Sequence, residues 1–222
     1  MRIMMYTLLL LVVLVGCSAN NQVKDQEEPT KKNQTEQTEA TAPEQEETTK
    51  EEPEEVAGYT LYRPEVGTSR TFTNNGEEIF TQEIVAENDE YVQLTIAIGG
   101  TISTQVYKWT ADEISLVFEE REPSNPSESI LDSFTPNEEI DVFVQSEGNS
   151  DWELIDEAAS LKVPYGEFKD VLVIQKVTDE VEGADTIYTR YFAPSVGMIK
   201  ESFEVTGEQG YEDEANLETV QK

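Results

Sequence analysis

At Gly58 the chain changes texture, and that boundary decides which part of it can fold. Between Ser18 and Ala57 there is hardly an aliphatic residue; Glu, Gln, Thr, Lys and Pro dominate, as in Gln26-Glu27-Glu28-Pro29 and Lys50-Glu51-Glu52-Pro53-Glu54-Glu55. Such a segment cannot bury enough apolar surface to offset its ordering entropy. Residues 17–57 are therefore read as a disordered acidic tether, which as a flexible coil of about forty residues spans a root-mean-square ~35 Å. From Gly58 to Lys222 short apolar-alternating runs are separated by Gly, Asn, Asp and Pro, and no helical period is sustained. This pattern predicts one mainly β domain, a single antiparallel curled sheet in the form of a half-barrel or sandwich. Its length of about 165 residues suffices for one core that buries roughly 70% of the unfolded chain's surface.

Tyr91–Ile98 alternates cleanly and places Val92, Leu94, Ile96 and Ile98 on one face. Ile102, Thr104 and Val106 repeat the pattern beyond Gly99-Gly100. A two-residue turn at the glycines would set Ile102 opposite Ala97 and mix the faces. A three-residue loop including Thr101 would set Ile98 opposite Ile102, and the longer loop is predicted. Further strands are expected at Ile79–Ala86, Ser115–Glu120, Glu139–Gln145, Trp152–Val163, Asp170–Val177, Ile187–Phe192 and Met198–Val205, joined as a meander. Asp156-Glu157-Ala158-Ala159 also fits a short helical turn, with strand preferred. No fixed-period repeat is present, which argues against a solenoid or propeller.

The first sixteen residues carry Arg2, an apolar run from Ile3 to Val15 and then Gly16, ahead of Cys17, the only cysteine in the sequence. A positive start, an apolar stretch and a small residue before a cut describe a secretory signal. The run is shorter than the ~20 residues of a spanning helix. Leu14-Val15-Gly16-Cys17 resembles the bacterial lipobox. That resemblance implies cleavage between Gly16 and Cys17 and a diacylglyceryl lipid on the Cys17 thiol, anchoring the chain to the extracytoplasmic face of the cell membrane. With Cys17 consumed, neither an internal disulfide nor thiol chemistry remains.

Histidine is absent, which removes the usual zinc and copper ligands and the commonest general base. Ala193-Pro194-Ser195-Val196-Gly197 grazes the G-x-S-x-G nucleophile elbow. However, no base is at hand, no Ser-x-x-Lys occurs, and a strand rather than a helix is expected to follow. Carboxylates are in excess: Lys and Arg total 15 against 47 Asp and Glu, a net charge of −32. The tether holds twelve acids and four bases, and Arg2 is lost with the signal, leaving ten bases, 35 acids and a charge of −25 on residues 58–222. Such a field repels nucleic acid and favours cations or basic partners, or serves solubility alone. Calcium is weakly supported at Asp179–Asp185 and Glu212-Asp213-Glu214, because neither has a calcium-loop spacing and both read as solvated turns. No cofactor beyond the lipid is expected.

Two segments, Leu161–Ile174 and Tyr188–Lys200, resemble a recurring signature of uncharacterised Gram-positive-type envelope lipoproteins. In that group a tryptophan strand leads to a V-P-x-G-x-F-x-x-V-L-V hairpin, followed by a Y-Y-A-x-x-V-G-x-I-K hairpin. The matching positions are Trp152, Val163, Pro164, Gly166, Phe168, Val171, Leu172 and Val173, then Tyr191, Phe192, Ala193, Val196, Gly197, Ile199 and Lys200. Tyr62–Phe72 resembles the group's P-x-x-x-G-x-x-W opening, with Phe72 later than the expected aromatic. The resemblance implies a fold and an address but no catalytic residue. Read physically, Pro164-x-Gly166 and Ala193–Gly197 are turn chemistry.

The expected function is accordingly a non-catalytic, membrane-anchored surface lipoprotein that binds a ligand or an envelope protein. A concave face lined by Tyr107, Trp109, Phe118, Trp152 and Tyr191 is the expected site. The alternatives are an accessory or sensor protein engaging a basic envelope partner, or a carboxylate-dependent hydrolase.

Overall fold

The computed structural model describes residues 58–137 and 140–222. The signal peptide, the Leu14–Cys17 lipobox and the tether lie outside the described residues, as does Glu139 at the head of one expected strand. After a 3-10 turn at Gly58–Tyr62, the described residues form eleven strands. They are β1 (Ser69–Asn74), β2 (Glu77–Glu87), β3 (Tyr91–Ile98), β4 (Thr101–Trp109), β5 (Glu113–Arg121), β6 (Asp141–Gln145), β7 (Trp152–Val163), β8 (Gly166–Val181), β9 (Ala184–Ala193), β10 (Gly197–Val205) and β11 (Tyr211–Gln221).

All eleven join one antiparallel sheet in the order β6-β5-β4-β3-β2-β1-β11-β10-β9-β8-β7. The meander is thus opened between β6 and β7 and closed by pairing of β1 with β11. Because every neighbouring pair is antiparallel, the edge strands β6 and β7 run in the same direction, and a tight hairpin cannot join them. Side chains span the seam instead. Phe143 and Trp152 meet edge to face at 5.5 Å, Trp152 Nε1 donates to Asp141 Oδ1 at 3.0 Å, and the Ser150 hydroxyl donates to the Val142 carbonyl. The sheet is therefore a nearly closed barrel, more curled than a half-barrel, with Phe72, Ile84, Val92, Ile114, Leu172 and Leu217 buried.

Two strands escaped the sequence reading. In β1, Asn75-Gly76 turns the chain into β2 with both residues at positive φ, 51° and 83°, the strongest short hairpin signal there is. In β11, Ala215 and Leu217 alternate within so many acids that the apolar period is hidden. Asp156–Ala159 is strand, not helix, although the β7–β8 register slips repeatedly along it.

The predicted loop after β3 is corrected. Ala97 pairs with Ile102 and Ile98 with Thr101, so Gly99-Gly100 is a two-residue turn, both glycines at positive φ. The mixed faces that argued against it are reconciled by a second covering layer. Residues 122–137 fold over the outer face of β3–β5, where Gln93 Oε1 accepts from Ile130 N–H and Gln93 Nε2 donates to the Glu128 carbonyl. The Thr95 hydroxyl donates to the Pro126 carbonyl at 2.6 Å, and Phe134 sits edge-on to both Tyr91 and Phe118. Gln93, Thr95, Thr104 and Val106 are buried on the outer face, while Ile102 beside the turn stays 37% exposed, so along the covered stretch alternation no longer reports which side faces the core.

Candidate functional site

One end of the barrel is stoppered by the segment that precedes β1. Tyr59 N–H donates to the Ala111 carbonyl, and Gly58 passes so close to that carbonyl that a Cβ would stand 2.1 Å from it. Arg63 donates from Nε to the Trp109 carbonyl at 2.8 Å, from Nη1 to Asn88 at 2.8 Å and from Nη2 to Asp89 at 2.7 Å. One guanidinium thereby ties the β2–β3 and β4–β5 turns together. Trp109 completes the plug, its indole N–H donating to the Tyr59 carbonyl at 2.8 Å.

Above this floor the barrel interior holds a cavity of about 220 Å³. Its apolar wall includes Phe80, Leu94, Ile96, Leu116, Phe192 and Met198, and its polar groups are Arg70, Gln82, Gln105, Tyr107, Asp141, Arg190 and Glu201. The lining runs from Arg70, 2% exposed, to Ile98, 54% exposed, so the cavity reaches solvent at the end carrying the β3–β4 turn.

The charged groups toward the mouth are held in ion pairs. Arg190 Nε lies 3.6 Å from Glu201 Oε2, and its guanidinium stacks over Phe143 at 4.4 Å and Trp152 at 5.1 Å. Asp141 faces Lys176 at 3.6 Å, a cation it shares with Asp151 at 3.5 Å. Tyr107 donates to Gln105 Oε1 at 2.7 Å, and burial pushes its phenol up to about 12, so it stays a neutral donor.

Arg70 is different. Its Nη2 donates to Gln82 Oε1 at 2.7 Å and its Nη1 to the Val196 carbonyl at 2.6 Å, while Nε has no partner. Eight of the ten basic residues of the domain stand within 4.0 Å of a carboxylate; among the described residues the exceptions are exposed Lys169 and buried Arg70. Burial lowers the Arg70 guanidinium to about 10, which leaves it charged at neutral pH. An ion taken out of water without a counter-ion costs on the order of several kcal/mol. In a domain with 35 acids, the one buried cation has no described carboxylate within 4.0 Å.

Arg70 was missed at the sequence level, yet its signal was there. Ser69-Arg70-Thr71-Phe72 alternates, so any register that buries Phe72 also turns Arg70 inward. It stands opposite Gln82, as Phe72 stands opposite Phe80, whose ring it stacks on at 4.5 Å.

Of the aromatics expected to line a concave face, Tyr107 and Trp109 do so. Trp152 serves the seam. Phe118 is on the outer face beneath Phe134, and Tyr191, paired with outward Lys200, is on the face opposite Arg190 and Phe192. The hairpin motifs gather at the stoppered end: Tyr165 N–H donates to the Leu217 carbonyl and Ser195 N–H to the Leu61 carbonyl. Ser195 is a left-handed turn residue leading into strand β10, not a nucleophile elbow before a helix.

The Ala193–Gly197 turn also holds Arg70. Gly197 has φ 80°, and an added Cβ would stand 2.9 Å from Arg70 Nη1 and 3.1 Å from Pro64 Cβ. Gly197→Ala is therefore expected to cost about 2 kcal/mol, the left-handed backbone penalty plus displacement of a packed guanidinium. Urea unfolding midpoints of the two chains measure it, and an unchanged midpoint would mean that this turn is free to relax. Asp179–Asp185 forms the β8–β9 hairpin and Glu212–Glu214 lies in β11. Among the described residues no group of three or more carboxylates is placed to hold a metal ion.

No protein-family model matches this sequence, and no curated protein matches it. Among solved structures, the chain is similar to a provisionally assigned exported protein of Bacteroides fragilis with a YmcC-like fold, at 12% identity over 73% of this chain and 99% of that one, TM-score 0.37. It is also similar to a provisionally assigned lipoprotein of Parabacteroides distasonis, at 12% identity over 74% of this chain and 99% of that one, TM-score 0.41.

Proposed function

We propose that this chain is a non-catalytic, lipid-anchored protein of the extracytoplasmic membrane face whose barrel interior binds a small, largely apolar ligand. The observation that carries the reading is the solvent-reaching cavity, walled by aliphatic and aromatic side chains with a few convergent polar groups, which is the usual make-up of a ligand site. At about 220 Å³ it falls below the ~300–1,000 Å³ of drug-sized sites, so the occupant is small. The anchor rests on Leu14-Val15-Gly16-Cys17 and the signal before it. The non-catalytic assignment draws on the absence of histidine and on the pairing of the two lining acids, Asp141 and Glu201, with Lys176 and Arg190.

Native mass spectrometry of the full protein, purified gently from its own host, tests this. The expected result is a chain carrying an extra mass that is lost on denaturation. A bare lipidated chain would move the assignment to an accessory protein that uses its −25 surface to engage a basic envelope partner.

A further inference from the structure

We infer that the cavity selects a single-chain anionic amphiphile, with its negative head seated inside on the guanidinium of Arg70 and its tail running past Leu94 and Ile96 to the mouth at Ile98. This inference rests on the interior-binding reading and adds the chemistry of the occupant.

The placement of charge supports it. A buried arginine in a purely structural role would be expected to meet one of the abundant carboxylates; Arg70 instead meets an amide oxygen and a peptide carbonyl, both neutral. Its Nε is left unsatisfied, and the side chain lines the cavity. The space that this side chain lines is the cavity, and a counter-charge is expected to come from there. The hydroxyl of Tyr107, also lining the cavity, is neutral and adds no competing negative charge. Toward the mouth Glu201 is paired with Arg190, and Asp141 shares Lys176 with Asp151, so neither lining acid stands in for the head group at Arg70. An apolar wall between the inner cation and the rim fits a chain that enters head first. The shared chemistry is a compact anion on an alkyl chain, and two sources supply it: a fatty-acid carboxylate or a lipid phosphate monoester.

Calorimetric titration of the full chain, held in nanodiscs and blanked against empty ones, with octanoate, octyl phosphate and octan-1-ol tests the head group at constant tail. At least one anion is expected to bind roughly tenfold or more tighter than the alcohol, as a charge-assisted bond to a buried guanidinium requires. The tighter of the two anions identifies the source. Arg70→Lys is expected to keep the preference for the anion, and Arg70→Met to bring the ratio of anion to alcohol close to one. Because the head-group series is read on the unaltered protein, it stands even if Arg70→Met fails to fold. Alcohol binding as tight as either anion overturns the anionic head and leaves the cavity reading in place. Absence of binding by all three overturns both.

Salt gives an independent reading. The −25 surface repels an incoming anion, and screening at roughly 0.5 M removes that repulsion while hardly touching a buried contact. Anion affinity is therefore expected to hold or rise with salt. A tenfold fall would place the anion on an exposed cation instead and overturn the inference.

Discussion

Replacing Cys17 by serine is expected to abolish lipid attachment altogether. Cys17 is the only thiol in the chain, and a serine hydroxyl does not become a thiolate, the species that attacks in thioether formation. The effect on location should be correspondingly complete. A single acyl chain holds a protein to a bilayer only marginally, and stable anchoring needs two, which a diacylglyceryl group supplies. Without it, the strongly acidic domain has no attraction to an anionic membrane surface. The Cys17→Ser chain should accumulate as a precursor, stranded by its uncut signal or released, and should take up no labelled fatty acid. Membrane fractionation and palmitate labelling of cells producing the two chains check this. If the Cys17→Ser chain is still processed and still membrane-held, the Leu14–Cys17 reading is wrong.

Trp109→Ala should be among the most damaging single changes inside the barrel, at about 3–5 kcal/mol. The side chain is 3% exposed, meets Phe192 edge to face at 6.0 Å, and supplies the donor for the Tyr59 carbonyl. Truncation therefore removes ring burial, leaves a cavity beneath an existing one, and frees the Gly58–Tyr62 turn that stoppers this end. Trp109→Phe separates these contributions: it keeps most of the ring contact and loses the indole donor, so it should cost only about 1–1.5 kcal/mol. Urea unfolding of the full chain, followed by the far-ultraviolet strand signal, measures both. A Trp109→Ala loss within about 1 kcal/mol of wild type, the scale of a single hydrogen bond, would mean that the stopper is not part of the barrel's cooperative unit.

Legibility varied with what the residues had to satisfy. Trp152–Val163 was read to its full bounds, because flanking turn residues mark both ends. Loop length after β3 differs from the expectation: Gly99-Gly100 is itself a complete two-residue turn, which leaves Ile102 37% exposed on an outer face that residues 122–137, a segment with no period of its own, cover only farther along at Gln93 and Thr95. Phe118 was placed on the wrong face for the same reason. Arg70 passed unnoticed because a lone arginine beside threonines reads as solvent-facing, although its two-residue spacing from Phe72 says otherwise.

Local chemistry, then, was enough to determine the fold class. Period-two alternation and turn residues are properties of neighbours in sequence, and they dictate antiparallel strands after Gly58. The apolar run Ile3–Val15 and the lipobox-like Leu14–Cys17 are local in the same sense. Closure into a barrel, and the site within it, were decided by partners far apart in the chain. The pairing of β1 with β11 sets Arg70 beside Val196, 126 residues away. The seam at Trp152, the cover over β3–β5 and the buried unpaired cation all depend on which faces the closed sheet turns inward, and that is a property of the whole sheet.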